Sequence, residues 1–229
     1  MDVTSLFIGI ILILILIIAA ILYMWYRENS KSRQELNNAY KTMEKLSKFD
    51  PLTQLSNKNS MTDRIEIEMI RMGRTWRPFC LVMLVVDNFR QINDKFGRDS
   101  GNKILESLGL ILTKTLRRQD TASRWEGEEF LILLPETTLD GGYTIAEKIR
   151  KAVESTKVTY GDYVMAFTIT LGVDIYNKLG PANYTIRKAE AALYEGIKRG
   201  RNTAIRSDDP GLDITEYTGA NDISAKEKL

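Results

Sequence analysis

The chain of 229 residues contains no histidine. That absence excludes imidazole acid–base catalysis, His-assisted nucleophiles and His-ligated zinc. Cysteine is almost as scarce: the single thiol, Cys80, sits inside the apolar run FCLVMLVV. One cysteine forms no disulfide framework, and an apolar setting marks a core thiol, not a nucleophile. Charge of one sign is also lacking. The 32 basic and 30 acidic residues leave a net charge of +2, so no general field for nucleic acid is expected.

What the chain does have begins at once. Leu6–Met24, LFIGIILILILIIAAILYM, carries no charged side chain. At about 1.5 Å of helical rise per residue, such a run covers the hydrocarbon core of a bilayer. A cleaved signal peptide is the competing reading. It is disfavoured because Asp2, with no Lys or Arg, precedes the run, which is also long for a signal peptide. Tyr23, Trp25 and Tyr26 form an interfacial belt, and Arg27, Lys31 and Arg33 place the following side in the cytoplasm. The expected order is a short extracytoplasmic stretch at 1–5 and a single transmembrane helix at 6–26. With so little chain outside, no external sensor domain is expected.

Residues 27–48 follow as a linker helix. Leu36, Tyr40, Met43 and Ser47 recur at a 4-3-4 spacing, a short and imperfect coiled-coil seam. A parallel homodimer is one reading of it and a solvated helix the other. The folded domain is expected over 49–206. FDPLTQLSNK reads as a loop with an Asp-Pro turn, leading into a helix near Ser60–Met72. FCLVMLVV is a buried strand, followed by a polar helix pair that ends near Leu116. TASRW and FLILLP flank Glu126–Glu129, which makes that tetrapeptide a hairpin tip. Gly141–Val153 is helical, Met165–Tyr176 a strand, Asn183–Lys198 helical and TAIR a last short strand. This alternation gives an α/β (α+β) sandwich of helices on a central sheet. From Ser207 to Leu229 the chain is polar and aperiodic and reads as a disordered tail. There is no internal repeat.

Four blocks, DPLTQLSNK, VDNFRQINDKFGRDSGNKIL, RRQDTASRWEGEEFLILLP and ALYEGIKRGRN, occur in that order. Together they resemble the GGDEF domain, the bacterial diguanylate cyclase family, over nearly all of residues 49–206. The resemblance implies a cyclase-like central sheet flanked by helices. It implies synthesis of cyclic di-GMP from two GTP molecules by a dimer, with two metal ions on the reacting phosphate. Fold alone does not carry the activity, so each site residue is compared separately.

The acid of the signature loop is present as Glu128, followed by Glu129. The family's metal-ligating aspartate at the end of the first strand falls on Val85, whose side chain offers no oxygen to a hard cation. Asp87 lies two residues on, about 6–7 Å along the strand, a large shift against the tight geometry of magnesium. The first signature glycine is Glu126, which adds bulk and negative charge beside the phosphates, while Gly127 is retained. The family's phosphate-binding lysine falls on Ile197; Arg201 matches its arginine. Of the guanine-reading pair Asn93 is retained, and Asn102 stands where the family has aspartate. A carboxylate accepts from two guanine N–H groups, whereas an amide sets one donor against another. The resemblance thus implies a relic site at Val85, Glu128 and Glu129, with relic GTP contacts at Asn93, Asn102, Gly127 and Arg201. Neither catalysis nor metal is expected, with magnesium held through Glu128 if the site is active.

Arg117 and Asp120 match the family's Arg-x-x-Asp product-inhibition motif, which binds cyclic di-GMP away from the active site. The guanidinium forks onto phosphate or the guanine edge, and the carboxylate takes guanine N–H groups. A supporting arginine is replaced by Lys148, which keeps the charge and loses the fork. The rival explanation of Arg117 and Asp120 is an ordinary salt bridge at a helix end. The expected function is that of a membrane-anchored cyclic di-GMP receptor signalling to a protein partner. An active cyclase and a nucleotide-independent scaffold are the alternatives.

Overall fold

A computed structural model describes residues 16–17, 22–27, 47–177 and 181–212. The chain divides into two units, residues 1–47 and 48–229. In the first, residues 16–17 and 22–27 are helical and exposed. Most of the expected span at 6–26 and linker at 27–48 lies outside the described residues. Among the described residues no helix is long and apolar enough to cross a membrane.

The second unit is built on β1, Phe79–Val86, whose eight residues are apolar throughout. Such a run suits a central strand covered on both faces. It pairs antiparallel with β3 (Glu129–Leu134) and with β6 (Ile169–Tyr176). With β2 (Thr121–Glu126) and β7 (Ala204–Arg206), the sheet order is β2-β3-β1-β6-β7. Among the described strands of this sheet, only the β6–β7 pair is parallel.

Alternate residues of β1 enter different cores. Cys80, Val82 and Leu84 meet Ile104, Leu105 and Leu108 of α3 (Arg98–Thr115) and Ile149 of α4 (Leu139–Glu154). Phe79, Leu81 and Met83 meet Met61 and Ile65 of α1 (Lys58–Thr75) and Ile186 and Leu193 of α5 (Ala182–Lys198). Each fully buried leucine contributes about 1.5–3 kcal/mol. Cys80 is a core thiol, and burial pushes its pKa up to about 12. The remaining helix, α2 (Phe89–Phe96), follows β1 and leads directly into α3.

Two expectations are corrected. The single strand over Met165–Tyr176 is two strands. Tyr163–Ala166 (β5) pairs with Lys157–Tyr160 (β4) in a separate hairpin turned at Gly161, and the ladder resumes at Ile169 as β6. The break at Thr168 has a physical cause: its hydroxyl donates to Asp87 Oδ2, and its carbonyl accepts from the Asp87 amide.

The folded domain also runs past Arg206, so a disordered tail does not begin at Ser207. Ser207 is buried, its amide bonds to Val173 and its hydroxyl donates to Asp174. Asp209 closes the segment with a 2.9 Å ion pair to Arg199. Residues 213–229 lie outside the described residues.

Burial pushes the Asp174 carboxyl above its ordinary range, against the lowering effect of Ser207. The stability linked to that proton is present below the unfolded Asp pKa of about 3.9 and is lost as pH rises through the raised folded value. Ser207→Ala removes a donor from a buried carboxylate. Thermal unfolding at pH 7 should show a loss of about 1–3 kcal/mol, or roughly 2–10 °C. An unchanged midpoint would show that the hydroxyl does not support Asp174.

Candidate functional site

A cleft of about 990 Å³ opens where β1 ends beside the tip of the β2–β3 hairpin. The tip is the two-residue loop Gly127–Glu128 between the opposed Glu126 and Glu129, with Gly127 at φ 55°. A register shift between Arg124 and Glu126 bulges the strand just before the tip. The structure brings Val85, all four hairpin residues, Ile197 and Arg201 onto this one cleft.

The floor of the cleft is apolar. Val85 lies opposite Glu129 on β3 and Thr170 on β6, and it packs with Ile197 on the same core cluster. Asp87, two residues along, is buried, and its carboxylate is fully engaged. Oδ1 accepts from Thr170 at 2.6 Å; Oδ2 accepts from Thr168 at 2.7 Å and from the Asn202 amide at 3.0 Å. Those contacts hold Arg201 and Asn202 in the left-handed region, at φ 69° and 48°.

The chemistry of two hard divalent cations does not fit these residues. Val85 offers no oxygen, and the Asp87 oxygens are committed to three protein donors. Among the described residues no group of three His, Cys, Asp or Glu side chains could hold a metal. The Glu128 side chain makes no hydrogen bond or ion pair among the described residues.

Glu126 behaves otherwise than expected. Its carboxylate pairs with Lys58 on α1 at 3.3 Å, and the same ammonium lies 4.8 Å over the Trp125 ring. Part of its charge is therefore offset on the α1 side. As an exposed pair this contributes at most about 1 kcal/mol.

The hairpin is also held from behind. Arg124 Nε donates to the Gly127 carbonyl at 2.7 Å, and its Nη1 lies 3.4 Å from Asp50 Oδ2. Asp50 in turn accepts from the Thr53 amide and hydroxyl. The Asp-Pro-x-Thr pattern signals this local turn, but nothing nearby in sequence marks Arg124 as its partner. Arg124→Ala should cost about 1–3 kcal/mol and speed amide hydrogen exchange at Gly127 and Glu128. Unchanged exchange there would show that the arginine does not hold the tip.

Asn93 and Asn102 stand off the main cleft, at the corner between α2 and α3. Phe89, which lines the cleft, reaches the same corner.

Arg117 and Asp120 occupy the turn from α3 into β2. The Arg117 amide donates to Asp120 Oδ2 at 2.9 Å, while the Arg117 side chain is exposed and makes no ion pair among the described residues. The contact within the motif is therefore between backbone and carboxylate, not the side-chain salt bridge of the rival explanation. Asp120 Oδ1 is buried and has no hydrogen-bond partner among the described residues. Burial raises the Asp120 pKa, opposed by the Arg117 amide and charge. Lys148 lies on α4, which packs against α3.

A family model described as "Diguanylate cyclase, GGDEF domain" matches residues 47–203. The chain is 33% identical over 153 residues to diguanylate cyclase DgcP of Pseudomonas aeruginosa, covering 67% of this chain and 23% of that protein. It is 37% identical over 131 residues to diguanylate cyclase A of Treponema denticola, covering 57% and 35%. The chain therefore spans well under half of either relative. Among solved structures it is similar to diguanylate cyclase SiaD of P. aeruginosa, crystallised in complex with its activator SiaC. The TM-score is 0.68 at 31% identity, over 81% of this chain and 71% of that one. The GGDEF domain of DgcB from Caulobacter crescentus, solved in complex with c-di-GMP, shares the fold at a TM-score of 0.68 and 24% identity, over 71% and 94%. With the family model matched across the domain that carries the cleft, the chain belongs to the GGDEF diguanylate cyclase family.

Proposed function

We propose that this protein is a degenerate GGDEF receptor. In this reading it binds cyclic di-GMP through Arg117 and Asp120, with Lys148 in support, and passes the bound state to a protein partner. The observation that carries the reading is the exposed Arg117 guanidinium, free of ion pairs among the described residues, beside the half-buried Asp120 carboxylate. A guanidinium left to solvent is open to a phosphate or a guanine edge. The apolar Val85–Ile197 floor supports binding in place of turnover. The uncharged run Leu6–Met24 supports a membrane anchor with the domain in the cytoplasm.

An active cyclase is the second reading, favoured by family membership and by Glu128 standing unpaired on the cleft. One pair of experiments separates the two. Calorimetric titration with cyclic di-GMP should give saturable binding, and incubation with GTP and magnesium or manganese should yield no cyclic di-GMP above background. Product formation that disappears in Glu128→Ala would establish the cyclase instead. Absence of both binding and turnover would leave the scaffold reading.

A further inference from the structure

α1 is apolar on two faces. Met61, Ile65 and Met72 are buried in the core, as a helix packed on a sheet requires. Ile67 and Ile70, one turn apart on the opposite face, are 59% and 66% exposed. Arg74 continues that line one turn further on, is exposed, and makes no ion pair among the described residues. Trp76 ends the helix in the left-handed region, at φ 60°, with its amide bonded to the Met72 carbonyl. Glycine ordinarily takes that position. Here it holds a ring that is 75% exposed, next to the exposed Arg77. From Met69 to Arg77 the chain has three arginines and no acidic residue; the exposed acids of the helix, Asp63 and Glu66, precede this end. Glu136 pairs with Arg71 and Arg77, and the buried Glu68 lies 3.7 Å from Arg71, so three arginines meet two carboxylates and the end of the helix stays positive.

We propose that this end of α1 docks on an anionic lipid surface. Isoleucine and tryptophan side chains enter the boundary between headgroups and acyl chains, and the arginines beside them meet lipid phosphates. A groove on a partner protein would also accept the isoleucines. Three arginines with no acid among them match a surface of uniform negative charge better. The uncharged run Leu6–Met24, read as a membrane anchor, supplies the tether. Even fully extended, the chain between that run and the domain keeps the domain within about 80 Å of the bilayer. A tethered surface needs little affinity of its own to stay docked. α1 and α5 cover one face of the sheet and α3 and α4 the other, so docking turns the face that carries Lys148 away from the lipid. The proposal rests on the anchor reading only for the tether, and it does not rest on the receptor reading.

The test uses the full chain in vesicles of phosphatidylcholine, with and without phosphatidylglycerol, carrying a nitroxide on Ile70→Cys. Cys80 is buried and does not take the label. A label on Asp162→Cys, exposed at the β4–β5 turn, is the reference in water. With phosphatidylglycerol present, the label at 70 should be relaxed more by oxygen, which concentrates in lipid, than by a water-soluble nickel chelate. The label at 162 should show the reverse. Arg74→Glu, an exposed change, should lower the docked-to-free ratio roughly 10- to 30-fold, and phosphatidylcholine alone should lower it too. Docking is overturned if the label at 70 stays as open to the chelate as the label at 162, or if Arg74→Glu leaves the ratio unchanged. A label at 70 shielded from both reagents would also overturn it, because protein would then cover the face. Flotation in high salt decides the anchor separately: a chain released by salt has no anchor, while its label at 70 still reports docking at low salt.

Discussion

Arg117→Ala should lower the affinity for cyclic di-GMP by roughly one to two orders of magnitude. The guanidinium is exposed and makes no ion pair among the described residues, so its removal does not disturb the fold. What is lost is a charge-assisted contact worth about 1.5–3 kcal/mol. Arg117→Lys separates charge from geometry: lysine keeps the charge and loses the planar fork, so binding should still fall. Asp120→Ala should weaken binding by leaving guanine donors unpaired, and Glu128→Ala should leave it nearly unchanged.

The carboxylate adds a signature in pH. In the free domain burial raises the Asp120 pKa, and a ligand donating to the carboxylate requires the ionised form. Binding should therefore release a proton at acid pH, and affinity should fall as pH drops through the raised value. Titration in buffers of different ionisation enthalpy measures that proton directly. Equal affinity in the parent and Arg117→Ala would place the ligand elsewhere.

Asp87→Ala should be the most destabilising single change at the cleft. It leaves the Thr168 and Thr170 hydroxyls and the Asn202 amide without their acceptor. At the lower end of the cost of an unpaired buried donor, the three together come to about 3–5 kcal/mol. For a domain of this size that lowers the melting midpoint by roughly 6–20 °C. Asp87→Asn keeps one acceptor oxygen and should fall between. The Arg201–Asn202 turn should loosen in both, seen as faster amide exchange at Asn202. A midpoint within a degree or two of the parent would mean that water replaces the carboxylate without loss.

Much of this architecture was legible because the physics is local. β1 reads as an unbroken apolar run because it is covered on both faces. The β4–β5 hairpin is harder to see, since Tyr160, Tyr163 and Val164 are exposed and the strands show little core-facing alternation. Its turn signal, Gly161-Asp162, sits inside a stretch otherwise rich in strand formers. What sequence hides is mostly long-range pairing. Ser207 looks like the start of a polar tail until Asp174, 33 residues away, is placed beneath it. Glu126 reads as a charge facing phosphates until Lys58, 68 residues away, is placed beside it.

The apolar floor also constrains how this domain could be changed. Val85 and Ile197 both pack on the core cluster that floors the cleft, so the floor carries no charge at either position. Neither position takes a charge cheaply alone. Val85→Asp by itself sets a carboxylate against the core cluster beneath, and Ile197→Lys by itself sets an ammonium against the same cluster. Each single step carries a desolvation cost that its missing counter-charge would have offset. A charged floor is therefore reached only through a less stable intermediate, whichever residue is changed first. A double-mutant cycle with both changes would measure how far each charge offsets the cost of the other.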